Sequence, residues 1–410
     1  MAETRPDRHL RRRCRHRAST GRKVVDEAVE HNRILSRRMM KLPVAADRSP
    51  SSRRASYLLR AAVVVVVASV LGLGCDDSSG ANDPDVEIVG QDPDSSDSDT
   101  SAETNTPADT LTDPQDGVDS KDLTPEWSPP EPSLFDCTSL ENALPGRLSP
   151  VPLGCITDPS CHETMIVGHR SFGSGSTAPE NSRAGLRAAI RLGLDGVELD
   201  VRDTLDGQLV LMHDGSVDRT TNGSGEVSAL TFEEVTALVL DLDLADGDFG
   251  CETVPSLAEA FELARDRLFI HIDCKTGRAD LVAQAISDAG MLDQVIISTP
   301  DFARAHLARR TVPEVMVQVR PDTAEAVETV FVEFSADLPE LFEIDDPLLP
   351  AVEARIHAGG RKALVNAWGA DIRAVINDDF AGYSEIVDRG ADLLQCEYPL
   401  FGLRALGRIP

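Results

Sequence analysis

Four short stretches of the chain carry residue types that can do chemistry: His169-Arg170, Glu198-Leu199-Asp200, His213 and Asp273-Cys274-Lys275. Two carboxylates two positions apart share one face of a β-strand. An acidic pair suits a hard cation, and an imidazole beside it suits proton transfer near neutral pH. A guanidinium and an ammonium add the positive charge that an anionic substrate needs. A lone Glu-x-Asp is an ordinary exposed pattern on an edge strand. Here two other strand-like fragments deliver charged groups as well, which is the reason to read the four stretches as one site.

The elements that must position these groups show in the alternation of the chain. Val197, Leu199 and Val201 alternate with Glu198, Asp200 and Arg202, a strand pattern. Asp206-Gly207 is a two-residue hairpin signal. With those residues as the turn, Leu205 faces Gln208 and Asp200 faces His213, with Cβ atoms about 5 Å apart. Met165-Ile166-Val167-Gly168 is a short apolar strand that ends at His169-Arg170. The strand at Leu268–Asp273 delivers Asp273 and Lys275 to one face. His271 points the same way but deeper, as a core histidine does. His306 and His357 read as helix-surface residues and His162 as loop.

Taken in series, the motifs resemble those of the glycerophosphodiester phosphodiesterases. That family's pattern runs His-Arg-Gly, Pro-Glu-Asn-Thr, Glu-x-Asp-Val, Thr-x-Asp-Gly, His-Asp, Asp-Arg-Thr-Thr, then Glu-x-Lys. This chain has His169-Arg170, Pro179-Glu180-Asn181-Ser182, Glu198-Leu199-Asp200-Val201, Thr204-Leu205-Asp206-Gly207, His213-Asp214, Asp218-Arg219-Thr220-Thr221 and Asp273-Cys274-Lys275, in the same order. The resemblance runs from about Met165 to Pro410 and is strongest up to Lys275.

The resemblance implies a (β/α)8 TIM barrel with a small insertion after the second strand, lying over the barrel mouth, and an active site at the C-terminal strand ends. It implies that Glu198, Asp200 and Asp273 bind one divalent cation; an all-oxygen set favours Mg2+ or Ca2+ over zinc. His169 and His213 would be the acid and base, and Arg170 and Lys275 would neutralise phosphate charge. The implied reaction turns a glycerophosphodiester into glycerol 3-phosphate and an alcohol, through attack by the neighbouring 2-hydroxyl and hydrolysis of a cyclic phosphate. A phospholipase D-like relative acting on lysolipids or sphingolipids would share metal and histidines, and a non-catalytic surface binding protein is the alternative from another class.

The chain departs from the family pattern in four places. Ser171 replaces the glycine after His-Arg, and Asp273 replaces a glutamate. Asn366-Ala367-Trp368 stands for Trp-Thr-x-Asn, and Cys396-Glu397-Tyr398-Pro399 for Thr-Asp-x-Pro. The last two departures are expected to bear on substrate choice more than on the chemical class. Trp368 and Tyr398 either line the pocket or pack at its rim. Glu180, Asn181 and Ser182 can cap the helix near Ala184–Leu192, and Glu180 and Asn181 can also support His169 or Arg170.

Three segments organise the chain. Residues 1–75 form a basic leader ending in an apolar run, Ala61 to Leu73, and Gly74-Cys75, like a lipoprotein signal peptide. Ser52-Arg53-Arg54 hints at twin-arginine export, and the long leader suggests a start at Met39 or Met40. Residues 76–132 hold seventeen acids against one lysine and read as a disordered acidic linker. Residues 133–410 are the barrel domain. These features predict an exported protein, anchored to a membrane through lipid on Cys75 and facing the periplasm or the cell exterior. The chain carries a formal charge of −29, and removing the leader makes it more negative still. That argues against nucleic acid, whose phosphates need a cationic surface.

Cys137, Cys155, Cys161 and Cys251 fall in loop-like segments and allow two disulfides of open pairing. Cys274 and Cys396 alternate with the site residues and should be buried thiols facing outer helices. Strands are expected near Ile166–Gly168, Gly196–Val201, Leu268–Asp273, Gln294–Ser298, Val315–Val319, Phe331–Phe334, Lys362–Asn366 and Leu393–Glu397. Helical stretches lie between most of them, which is the barrel alternation.

Overall fold

The structure, a computed structural model, describes residues 128–173, 177–240 and 245–409. The leader, the Cys75 anchor and nearly all of the linker lie outside the described residues. Nine strands form one sheet. They are β1 (Met165–Gly168), β2 (Gly196–Asp203), β3 (Leu209–Leu211), β4 (Phe269–Cys274), β5 (Val295–Thr299), β6 (Met316–Val319), β7 (Leu341–Ile344), β8 (Lys362–Asn366) and β9 (Leu393–Cys396). All but β3 run parallel, and β1 pairs with both β2 and β9, so the sheet closes. This is the (β/α)8 barrel. Its strands are buried on both faces, which is why they read as runs of Val, Ile and Leu rather than as clean alternation.

Helices cover the outside. They include α1 (Arg183–Leu192), the short α2 (Phe232–Thr236) of the insertion, α3 (Leu257–Ala264), α4 (Ala279–Asp288), α5 (Phe302–Thr311), α6 (Ala324–Glu333), α7 (Leu349–Ala358), α8 (Trp368–Asn377), α9 (Ala381–Asp388) and α10 (Pro399–Ala405). The Ser182 hydroxyl caps α1 by accepting from the Gly185 N–H, and Gly193 ends it at φ 77°. Cys274 and Cys396 are buried in the layer between barrel and helices, as expected. At the other end Val151, Cys155 and Ile156 pack against the barrel interior. The two disulfides are Cys137–Cys251 and Cys155–Cys161. Among the described residues no helix is long and apolar enough to cross a membrane.

Two expectations need correction. Phe331–Phe334 is not a strand; it ends α6, where Phe331 stacks on Phe342 of β7. The sixth barrel strand is Leu341–Ile344, hidden because its Glu343 is an acid turned into the barrel. The hairpin register is also off by one. Val201 pairs with Leu211 and Asp203 with Leu209, and Thr204 N–H donates to Gln208 O at 2.9 Å. The loop is therefore three residues, Leu205-Asp206-Gly207, with Gly207 at φ 74°, the left-handed position such loops require. Asp200 O accepts from Met212 N–H at 3.0 Å, so Met212, not His213, stands opposite Asp200. The segment after β3 folds back through the bridges Ser216–Glu226, Thr221–Leu240 and Val239–Thr253, around a small core that includes Val217, Val227 and Val235.

Candidate active site

The C-terminal ends of β1, β2, β4 and β9 bring the expected groups together. Glu198 and Asp200 project from β2 and Asp273 from β4, and each offers an oxygen within 4.8 Å of the others. All three are buried, at 2, 1 and 7% exposure. Burial and the charge of Asp200 push the Glu198 carboxyl up to about 8. Burial opposes the charge on Asp200 too, but Lys275 and Arg170 hold that carboxyl below its usual range. Lys275 Nζ lies 2.8 Å from Asp273 Oδ2 and 3.4 Å from Asp200 Oδ1.

His169 follows β1 directly. Its Nδ1 meets the carboxylate of Glu397, at the end of β9, and its Nε2 lies 3.8 Å from Glu198 Oε2. Burial disfavours the charged ring, yet Glu397 and Glu198 overcome this and raise His169 to about 9. The turn after it is tight. Arg170 and Ser171 both have positive φ, 48° and 75°. Ser171 therefore occupies a left-handed conformation that a glycine would adopt without cost, a strain of about 1–2 kcal/mol for another residue. The turn is held by Arg170 N–H donating to Glu198 Oε2 at 2.7 Å and Ser171 N–H to Glu198 O at 2.8 Å.

His213 comes to the site by leaving the ladder. β3 ends at Leu211, and Arg202 fixes the His213 carbonyl through Nε and Nη2 at 3.0 and 2.7 Å. Its Nδ1 lies 2.8 Å from Asp214 Oδ1. Its charged form is close enough to help lower the Asp200 carboxyl, after Lys275 and Arg170.

Glu180 and Asn181 do not cap α1; Ser182 does. Asn181 donates to Asp200 Oδ2 at 2.8 Å and accepts from Asp200 N–H at 3.0 Å. Glu180 takes Arg170 Nη1 at 3.2 and 3.3 Å and Arg219 at 2.7 and 2.9 Å. Burial opposes its charge, but the two arginines hold it at about 2. Tyr398 packs against Phe401 in the core, while Trp368 is half-buried at the start of α8. His271 is buried, with Nδ1 3.2 Å from Gln395 Oε1.

The sequence pattern gave Arg219, Arg320 and Glu343 no role, and gave Glu397 only a bearing on substrate choice through its motif. Glu397 was legible as an acid in the final motif at a strand end. Its contact with the His169 imidazole places it inside the site rather than only at its rim. Arg219 sits in Asp218-Arg219-Thr220-Thr221, whose motif carried no role. Arg320 Nη2 lies 2.9 Å from Glu343 Oε2 and 3.7 Å from Asp273 Oδ2. Arg320 directly follows β6, and Glu343 lies on β7, the strand that the sequence pattern misplaced.

Known proteins are similar to this chain in sequence and in fold. The sequence model of the Glycerophosphoryl diester phosphodiesterase family matches residues 169–378, slightly more than half of the chain. A glycerophosphodiester phosphodiesterase of Caldanaerobacter subterraneus is 40% identical over 145 residues, 33% of this chain and 58% of that protein. Glycerophosphodiester phosphodiesterase 1 of Mus musculus is 38% identical over 156 residues, 38% of this chain and 44% of that protein. The chain thus spans about half the length of these curated relatives. The crystal structure of a glycerophosphodiester phosphodiesterase from Agrobacterium tumefaciens superposes with a TM-score of 0.51 at 27% identity, covering 59% of this chain and 99% of that one. A barrel with these motifs at its strand ends, matched by that family's own model from His169 onward, belongs to the Glycerophosphoryl diester phosphodiesterase family.

Proposed function

We propose that this chain hydrolyses glycerophosphodiesters to glycerol 3-phosphate and an alcohol, with His169 and His213 as acid and base and one divalent cation, Mg2+ or Ca2+, as cofactor. The observation that carries the reading is the convergence of three buried carboxylates, two histidines and two cations at one end of the barrel. The names of the relatives support the substrate class.

The donors fit a hard cation. Three carboxylates in one buried cluster repel one another, as the raised Glu198 shows, and a divalent charge relieves that repulsion. Glu198, Asp200 and Asp273 would hold the cation, which would supply Lewis acidity to the reacting phosphodiester. Arg170 and Lys275 neutralise the phosphate, which competes for them with Asp200 and Asp273. Glu397 on Nδ1 of His169 leaves Nε2 as the atom that takes or gives a proton. Asp214 does the same for His213. One histidine removes the proton of the attacking 2-hydroxyl and the other protonates the leaving alkoxide; water then opens the cyclic phosphate with the roles exchanged. Charged groups at the strand ends, among them Lys275 and Arg320, favour a polar alcohol over a lysolipid or sphingolipid tail.

The test is turnover of glycerophosphocholine. Chelator should abolish it, and Mg2+ or Ca2+ should restore it. His169→Ala and His213→Ala should each lose at least about 10²-fold in kcat. Full activity in a metal-free preparation, or near-wild-type turnover by either variant, would overturn the reading.

The same reading makes the protein an exported lipoprotein, anchored at Cys75 and tethered by the acidic segment. Gly74-Cys75 after an apolar run supports it, and so do two disulfides in the domain, which persist in oxidising compartments. Cys75→Ala should release the protein from membranes. Wild-type protein recovered unlipidated, with its leader uncut, would count against the anchor.

A further inference from the structure

We infer that Arg219 is a positioning residue that holds His213 in place through Asp214. The inference rests on the two-histidine reading above. His213 and Asp214 are neighbours in sequence, so their contact orients the imidazole only if something else fixes Asp214. Packing does not: the two side chains are 21 and 31% exposed, on a loop that has already left β3. Arg219 does. Its Nε donates to Asp214 Oδ2 at 2.6 Å and its Nη2 to Asp214 Oδ1 at 3.1 Å. Its Nη1 and Nη2 also donate to Glu180 Oε2 and Oε1 at 2.9 and 2.7 Å.

One planar fork thus joins a half-exposed carboxylate to a buried one, since Glu180 is 3% exposed. Glu180 in turn accepts from Arg170, beside the phosphate position. The result is a continuous chain from His213 through Asp214, Arg219 and Glu180 to Arg170. It ties the loop that brings one histidine to the turn that follows the other. The charges explain why Arg219 positions rather than binds. Two carboxylates, Glu180 and Asp214, face two guanidiniums, Arg170 and Arg219. Arg219 commits all four of these donor contacts to the carboxylates, which leaves its charge compensated before substrate arrives.

The test compares Arg219→Ala, Arg219→Lys, Arg219→Gln, His213→Ala and the Arg219→Ala/His213→Ala double variant, each at a temperature where circular dichroism shows it folded. Orienting partners are typically worth about 10–100-fold. Arg219→Ala should lose kcat in that range, with KM nearly unchanged. Arg219→Lys should recover only part of the loss, because an ammonium cannot fork across two carboxylates. Arg219→Gln keeps bulk and a donor without charge, so it covers the case in which the alanine variant does not fold. The double variant should be no slower than His213→Ala alone, as for groups acting as a unit. Multiplying losses in the double variant would overturn the inference, and so would wild-type kcat in Arg219→Ala. A raised KM at unchanged kcat would make Arg219 a phosphate ligand instead. If His213→Ala itself keeps wild-type turnover, the two-histidine reading fails and this inference with it. An inactive His213→Ala beside a fully active Arg219→Ala sinks only the inference.

Discussion

Glu397 shows how a single carboxylate can decide what a histidine does. Its contact with His169 Nδ1 fixes which ring nitrogen faces Glu198. Glu397 is itself held by Asp371, a buried acid of α8. Asp371 accepts from Glu397 N–H at 2.9 Å, Tyr398 N–H at 3.1 Å and the Tyr383 hydroxyl at 2.7 Å. Burial pushes Asp371 up to about 7 in spite of these donors. Glu397→Gln keeps the shape and removes the charge. We expect a loss of about 10–100-fold in kcat, the usual worth of an orienting partner, with the fold intact by circular dichroism. Wild-type kcat in Glu397→Gln would falsify a role for Glu397 at His169.

At the scale of elements, the sequence was most legible where one motif lay on one strand. β1, β2 and β4 deliver His169, Glu198, Asp200 and Asp273 as alternation predicts. It was least legible where side-chain period had to be counted across a turn. A one-residue change of register moves a side chain to the other face, and Asp206-Gly207 fits both a two-residue loop and the end of a three-residue loop. β7 escaped because Glu343 interrupts a strand of only four residues, while the Phe-rich end of α6 imitates one.

His357 lies on the surface of α7, as its pattern suggests, and from there clasps the helix to the barrel. Its Nδ1 lies 2.6 Å from Glu353 Oε1 and its Nε2 2.8 Å from Asp392 Oδ2. Asp392 Oδ2 also accepts from Ala363 N–H of β8 at 2.8 Å. The hydrogen bond to Asp392 raises the His357 pKa above its ordinary value. A raised folded-state pKa stabilises fully below the unfolded value, about 6.5, and the benefit fades as pH rises through the folded value. His357→Ala should therefore lower stability more at pH 6 than at pH 9. Because the ring is a third exposed, the difference should stay within about 1 kcal/mol. Urea melts at the two pH values decide it, and an equal loss at both would exclude a charge-dependent clasp.

For the whole molecule, the barrel was legible in the strand–helix alternation, and the family in the order of the motifs. Fine positioning was not, because it depends on contacts between segments far apart in sequence, such as Glu180 with Arg219 or His169 with Glu397. Net charge sets a further problem. Residues 133–410 carry 46 acids and 22 bases, a formal charge of −24 with histidines neutral. A glycerophosphodiester with an uncharged alcohol, such as glycerophosphoglycerol, is a net anion, so the long-range field repels it while Arg170 and Lys275 attract it at contact; zwitterionic glycerophosphocholine escapes most of that repulsion. These two terms differ in how salt screens them. Raising ionic strength from 0.01 to 0.15 M shortens the Debye length from about 30 to about 8 Å. That removes most of the repulsion between substrate and distant surface carboxylates, but screens the partly buried site cations much less. We therefore expect KM for glycerophosphoglycerol to fall over this range at saturating Mg2+ or Ca2+, with kcat little changed. Saturating cation matters, because salt also weakens its attraction to the acidic cluster. A KM that rises steadily with salt would mean that the local cations, and not the net charge, govern the approach of substrate.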